Sequence, residues 1–163
     1  MSCSQKENSG TIKRKGDRVD SSEKIILRSI RRLLETEPSI RMAACRGKVQ
    51  RIKTKWELYS AIRDQSKYAM EEIREENRRQ QEYQIYKQYG IRGIHVPGIK
   101  LHSAAQFELE TIIRTVTKME PHKKAYDKPV EAMHNTGSLY GFFEKSAKQI
   151  GIFGKVRAEK SRR

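Results

Sequence analysis

The sequence predicts an all-α protein without a sheet: one long central helix with two or three shorter amphipathic helices packed on it, flanked by disordered basic tails. Three observations point there. The stretch Val49–Gly90 holds no Gly or Pro before Gly90. Its apolar residues Ile52, Trp56, Tyr59, Ile62, Met70 and Ile73, with small Ser66 and Ala69, fall on one face of a 3.6-residue period. Two shorter stripes, in 22–36 and 103–119, carry the same periodicity. At 1.5 Å per residue the long helix, bounded at 48–89, spans roughly 60 Å, more than an enclosed domain of 163 residues needs. Gly90 stands where a left-handed C-cap belongs.

Taken in order, residues 1–21 are polar and turn-prone and read as a disordered basic tail. Its Lys13-Arg14-Lys15-Gly16 has the makings of a weak import or polyanion contact, but a solubilising tail is the favoured reading. The helical region covers 22–119. Ser22 is a candidate N-cap for a helix over 22–36, and Glu23 suits the positive end of its dipole. Ile26, Ile30, Leu33 and Leu34 make the apolar stripe; Arg28, Arg31 and Arg32 lie on other faces. Pro38 forces a break, because the residue before proline is pushed out of the helical region. Ser39 then opens a short helix over 39–46, and Gly47 ends it.

The long helix changes character along its length. From Glu71 to Glu82 nearly every residue is charged or an amide, with acid–arginine pairs at i,i+3 and i,i+4. Each pair adds only ~0.2–0.5 kcal/mol, which suits a helix standing in solvent. Tyr83, Ile85, Tyr86 and Tyr89 then appear off the original stripe. Aromatics at helical spacing pack on protein more often than they stack on bases. The stretch 90–102 is an apolar loop punctuated by Gly93, Pro97 and Gly98, too apolar for a free linker.

Ser103 and Gln106 form a capping-box signature for the helix 103–119, whose stripe is Ala105, Leu109, Ile112, Val116 and Met119; Pro121 stops it. Residues 120–163 read as loop, then a helix over 138–150 burying Leu139, Phe142, Phe143 and Ile150, then a disordered basic tail. No solenoid repeat is visible, and no heptad persists long enough for a coiled coil.

Composition bounds the function. Lys and Arg number 35 against 20 Asp and Glu, a net charge of +15. Charged residues make up 34% and apolar ones 36% of the chain, against about 25% and 45–50% in an average domain. A charge this large favours acidic partners. Two cysteines, Cys3 and Cys45, are no disulfide framework, so a reducing compartment is expected. There is no secretory leader and no apolar run approaching ~18 residues. The expectation is an intracellular protein of the cytoplasm or nucleus.

The chemistry of catalysis is not evident. His95, His102, His122 and His134 are scattered, and neither cysteine has a neighbouring Cys or His, so no metal or cofactor is expected. Phosphate-cradling glycine loops and the GxSxG elbow are missing. A lone Cys45 among Met42, Ala43 and Ala44 reads as a small apolar position, not a nucleophile. The expected protein is not an enzyme.

The distribution of cations carries more. Residues 24–63 hold eleven cations against three carboxylates, and Arg outnumbers Lys among them. Such a cluster suits phosphate, since counterion release drives binding, and Arg suits planar bidentate partners. The main contact is assigned to Arg28, Arg31, Arg32, Arg46, Arg51, Lys53 and Lys55. The expected function is non-enzymatic binding of nucleic acid, RNA favoured, without sequence specificity, because no RNP, KH or zinc-finger pattern is present. The alternative is a cytoskeletal or scaffold protein that docks an acidic surface such as a microtubule through the long helix and the apolar loop; self-association stays open. Trp56, mid-stripe, is expected to anchor the chain's own packing.

Overall fold

The computed structural model describes residues 15–36, 51–94, 103–134 and 137–160. Helix α1 spans Lys15–Thr36 and strand β1 Ile52–Thr54. The long helix α2 spans Lys55–Tyr89, and α3 spans Ala104–Met119. A 3₁₀ segment, Glu120–Tyr126, leads to β2, Pro129–Met133, and α4 closes the chain over Leu139–Lys160. One long helix with shorter helices packed on it is the architecture expected from the sequence. The short helix expected over 39–46, Arg46 and residues 95–102 of the apolar loop lie outside the described residues.

The absence of any sheet does not hold. β1 and β2 pair as an antiparallel ribbon, Ile52 opposite Met133 and Thr54 opposite Pro129, with an irregularity between. The expected long helix therefore starts at Lys55 instead of at 48. The cause is local. Thr54 accepts from the Glu57 backbone N–H at 3.3 Å, and Glu57 Oε2 accepts from the Thr54 and Lys53 N–H groups at 3.3 and 2.6 Å. Thr54-Lys55-Trp56-Glu57 is thus a full capping box. Extended backbone at the cap continues backwards as a strand. Proline at the first position of β2 costs no ladder hydrogen bond that the strand needs.

The other end of α2 is as expected. Gly90 has φ of 68°, and its N–H donates to Tyr86 O at 2.8 Å. An L side chain rarely adopts this left-handed conformation, which favours glycine here.

α1 begins seven residues before the expected start, so Ser22 sits inside the helix and not at its cap. Serine costs under ~0.7 kcal/mol in a helix interior, and burial of Ile26, Ile30 and Leu33 outweighs it. At α3, Ser103 accepts from the Gln106 N–H at 3.1 Å, but the Gln106 amide turns to Glu110 at 3.2 Å. Only half of the expected box forms. The expected stripe of α3 is buried throughout. α4 opens with Ser138 Oγ accepting from the Gly141 N–H at 3.1 Å and runs to Lys160, beyond the expected 138–150.

α1 packs mainly on α3, α3 on α2, and α4 on α1 and α2. The core joins Ile26, Ile30 and Leu33 of α1 to Tyr59 and Ile62 of α2, Leu109, Ile112 and Val116 of α3, and Phe143 of α4. Burial of this apolar surface, at about 25 cal/mol per Å², is what gathers the helices. Order continues past Glu120, where the sequence suggested a loop. Tyr126 is buried in the 3₁₀ segment, its ring edge-on to Tyr59 at 5.5 Å and tilted 6.3 Å from Trp56.

Candidate nucleic-acid interface

The seven nominated cations meet different fates. Arg28 and Arg31 are exposed, on the side of α1 away from its buried Ile26–Ile30–Leu33 stripe. Lys24 shares that side. Among the described residues no carboxylate forms an ion pair with any of the three. Arg32 is exposed too, but its Nη1 lies 3.4 Å from Glu108 Oε1 on α3. Arg51 and Lys53 are exposed around β1, where Ile52 alone turns inward. Arg46 lies outside the described residues.

Lys55 belongs to the interior. Its side chain is 4% exposed, and its Nζ donates to Glu23 Oε1 at 2.7 Å. Sequence spacing placed it beside Lys53, but the first turn of α2 points it at α1. A buried ammonium demands a close carboxylate, and Glu23 supplies one. The pair also fixes the start of α2 against α1. The Tyr59 hydroxyl is buried near Glu23 without reaching hydrogen-bonding geometry. Burial, then the Glu23 charge, push the Tyr59 phenol far above its ordinary range. The same two causes, in the same order, raise Tyr126 to about 12.

One basic element was not anticipated. The Lys55 N–H donates to Lys128 O at 3.0 Å, and Thr54 pairs with Pro129. The ribbon therefore carries exposed Lys128 to the strand that bears Lys53. Exposed Lys123 and Lys124 stand in the preceding 3₁₀ segment. These residues are some seventy positions from Lys53 in sequence, so only the strand pairing could reveal the proximity.

An open groove of about 370 Å³ lies beside β1, lined by Arg51, Ile52, Trp56, Glu57, Ser60, Ala61 and Asp64. Arg51 faces two carboxylates there, and Glu57 is already engaged by backbone N–H groups. Its mixed charge makes it a poor phosphate cradle. Trp56, 7% exposed, forms part of its floor and belongs to the core. Among the described residues no three His, Cys, Asp or Glu side chains gather to hold a metal. No helix among them is long and apolar enough to cross a membrane.

Most acids near the core are already engaged: Glu23 by Lys55, Glu57 by the cap of α2, Glu108 by Arg32. Along α2, Arg78 bonds both Glu75 and Glu82, and Arg79 bonds Glu75 at 3.3 Å. Hydrogen bonding from Arg78 holds the Glu75 carboxyl below its usual range and raises Arg78 in turn. Exposed cations outside these pairs include Lys24, Arg28 and Arg31 of α1 and Lys53 and Lys128 of the ribbon. A comparison with family models, curated proteins and solved structures finds no match for this chain.

Proposed function

We propose that the protein is a non-enzymatic binder of RNA, without sequence specificity. The observation that carries this reading is the outward face of α1, where Lys24, Arg28 and Arg31 are exposed with no carboxylate paired to them among the described residues. Arg51, Lys53 and Lys128 around the ribbon add to it. A phosphate backbone neutralised by these cations sheds its own condensed counterions, and the entropy of the released ions drives binding. A net charge of +15 strengthens the attraction at long range. Lys55 takes no part, and Arg32 contributes only by leaving Glu108.

The test is a salt titration of binding to a labelled oligouridylate. The pairs Arg28→Gln/Arg31→Gln and Arg51→Gln/Lys53→Gln should each weaken binding. Each should also flatten the slope of log K against log salt by about 1.4, at ~0.7 per lost phosphate contact on a single strand. Unchanged slopes in both pairs would end this reading. Polymerised tubulin, titrated in parallel, represents the rival acidic filament. Retention there, without retention on RNA, would favour docking to a filament.

A further inference from the structure

We infer that the projecting end of α2 is a stacking platform for the bases of a single strand, with Tyr83, Tyr86 and Tyr89 as its rings. This deepens the RNA-binding reading and rests on it. The last residue of α2 that is buried is Asn77. Beyond it, Arg78–Tyr89 projects about 18 Å. Along this projection the side facing the core changes chemistry. The line Ser66, Met70, Ile73, Asn77 continues at spacings of three and four as Gln80, Gln84 and Gln88. At ~100° per residue Tyr86 and Tyr89 point about 150° away from that line, and Tyr83 and Ile85 flank them at about 100° from it on either side. Tyr83 and Tyr89 are 62% and 70% exposed, and Tyr86 is 39% exposed.

The occupant follows from charge and size. No carboxylate occurs between Tyr83 and Ile94, while Lys87 and Arg92 do. The Arg92 guanidinium already lies over the Tyr86 ring, 4.9 Å from its centroid, and donates to the Tyr86 hydroxyl at 3.2 Å. One ring is thus presented with a cation beside it, the combination that holds a base and its phosphate. Size argues against a protein partner or a second copy. One side of an ~18 Å length of helix ~10–12 Å wide offers about 200 Å², and the exposed Ile91 and Ile94 just past its end enlarge that only in part. A stable protein interface takes about 800 Å² from each partner. Stacking needs no such area, because a single base on one ring contributes about 5- to 150-fold in affinity. Successive tyrosines three residues apart rise about 4.5 Å along the axis, a step an unpaired strand can follow.

The experiment compares the full chain with two triple variants, Tyr83→Leu/Tyr86→Leu/Tyr89→Leu and the same positions changed to Phe, on labelled oligouridylate. The leucine variant should lose at least tenfold in affinity with an unchanged salt slope, since no cation is removed. The phenylalanine variant should bind within about twofold of the parent. Circular dichroism should show both folded, because none of the three rings is buried. Ultraviolet crosslinks should map to 83–89. A leucine variant that binds like the parent, or crosslinks confined to α1 and β1, would overturn the platform. So would a leucine variant that loses polymerised tubulin but keeps RNA, which would make the projection a protein-docking face. A parent chain that does not bind the oligouridylate at all would overturn the RNA reading itself, and the platform with it.

Discussion

Residues 55–77 and 78–89 lie on one uninterrupted helix, α2, yet they are held by different forces. The first part is buried on successive turns, from Trp56 through Tyr59, Ile62, Ser66, Ala69 and Ile73 to Asn77. The second has no buried residue and is laced by Arg78 to Glu75 and Glu82. Both parts carry aromatics. In the first part Trp56 and Tyr59 face the core and Tyr68 is exposed; in the second all three tyrosines face solvent. Helical propensity and local pairs suffice to extend a helix once tertiary packing has nucleated it. A helix can therefore run past its own domain, and what it displays there is free to serve something other than folding.

The largest expected effect lies in the first part. Trp56→Ala removes a ring 7% exposed that meets Tyr126. It should cost about 3–5 kcal/mol of a total of about 5–15 kcal/mol. Thermal melting should show a sharp fall or no folded state, whereas Tyr89→Ala should melt like the parent. Equal melting by the two variants would erase the distinction between the two parts.

Next comes the ion pair that docks the start of α2. Lys55→Ala leaves Glu23 buried without its partner and should cost about 3 kcal/mol, the low end for a broken buried pair, since Glu23 keeps 12% exposure. The double variant Lys55→Met/Glu23→Leu should recover most of that loss, because apolar groups of similar volume replace such pairs at little cost. No recovery would show that the pair holds α1 and α2 together by more than charge compensation.

A pH dependence follows from Tyr126, whose phenol is raised to about 12. The unfolded chain releases its proton near 10. Between those values the unfolded state binds fewer protons than the folded one, so stability falls as pH rises. The contribution is fully present below about pH 10 and is lost through about 12. Tyr126→Phe should flatten that part of a melting-temperature profile, compared with the parent at the same pH. An identical fall in both would place the sensitivity elsewhere.

What could be read from the sequence was what local spacing encodes. The α3 stripe, the Gly90 cap, the packing role of Trp56 and the stripe of α2 from Ile62 to Ile73 all follow from 3.6-residue periodicity and cap chemistry. The start of α2 was also written locally, in Thr54-Lys55-Trp56-Glu57, but an apolar stripe extended through Ile52 masked it. What escaped needs distant partners. β1 has its mate in Pro129–Met133. Lys55 reads as one more surface cation until Glu23 is found beside it. Lys128 joins the basic ribbon only through that strand pairing. In the cation cluster, Arg28 and Arg31 were identifiable as exposed charges because an amphipathic face shows which side is wet, whereas Arg51 and Lys53 owe their exposure to a strand edge that reads as helix in the sequence.

The smallest expected effect is the most diagnostic of the projection. Arg78 is bonded to Glu75 and Glu82, one turn to either side, and to no other element. Removing it in Arg78→Gln takes away local support from solvent-exposed helix and nothing from the core. The melting temperature, set by the first part, should stay at the parent's value within scatter. The change should appear instead in hydrogen exchange: amides of 80–89 should exchange faster while those of 60–77 keep their protection. That pattern is what two independently held lengths of one helix require, since a segment without tertiary contacts opens without the rest. If Arg78→Gln lowers the melting temperature as far as Lys55→Ala does, residues 78–89 are coupled to the core. Their tyrosines would then be part of the fold, not a surface left over for a strand to stack on.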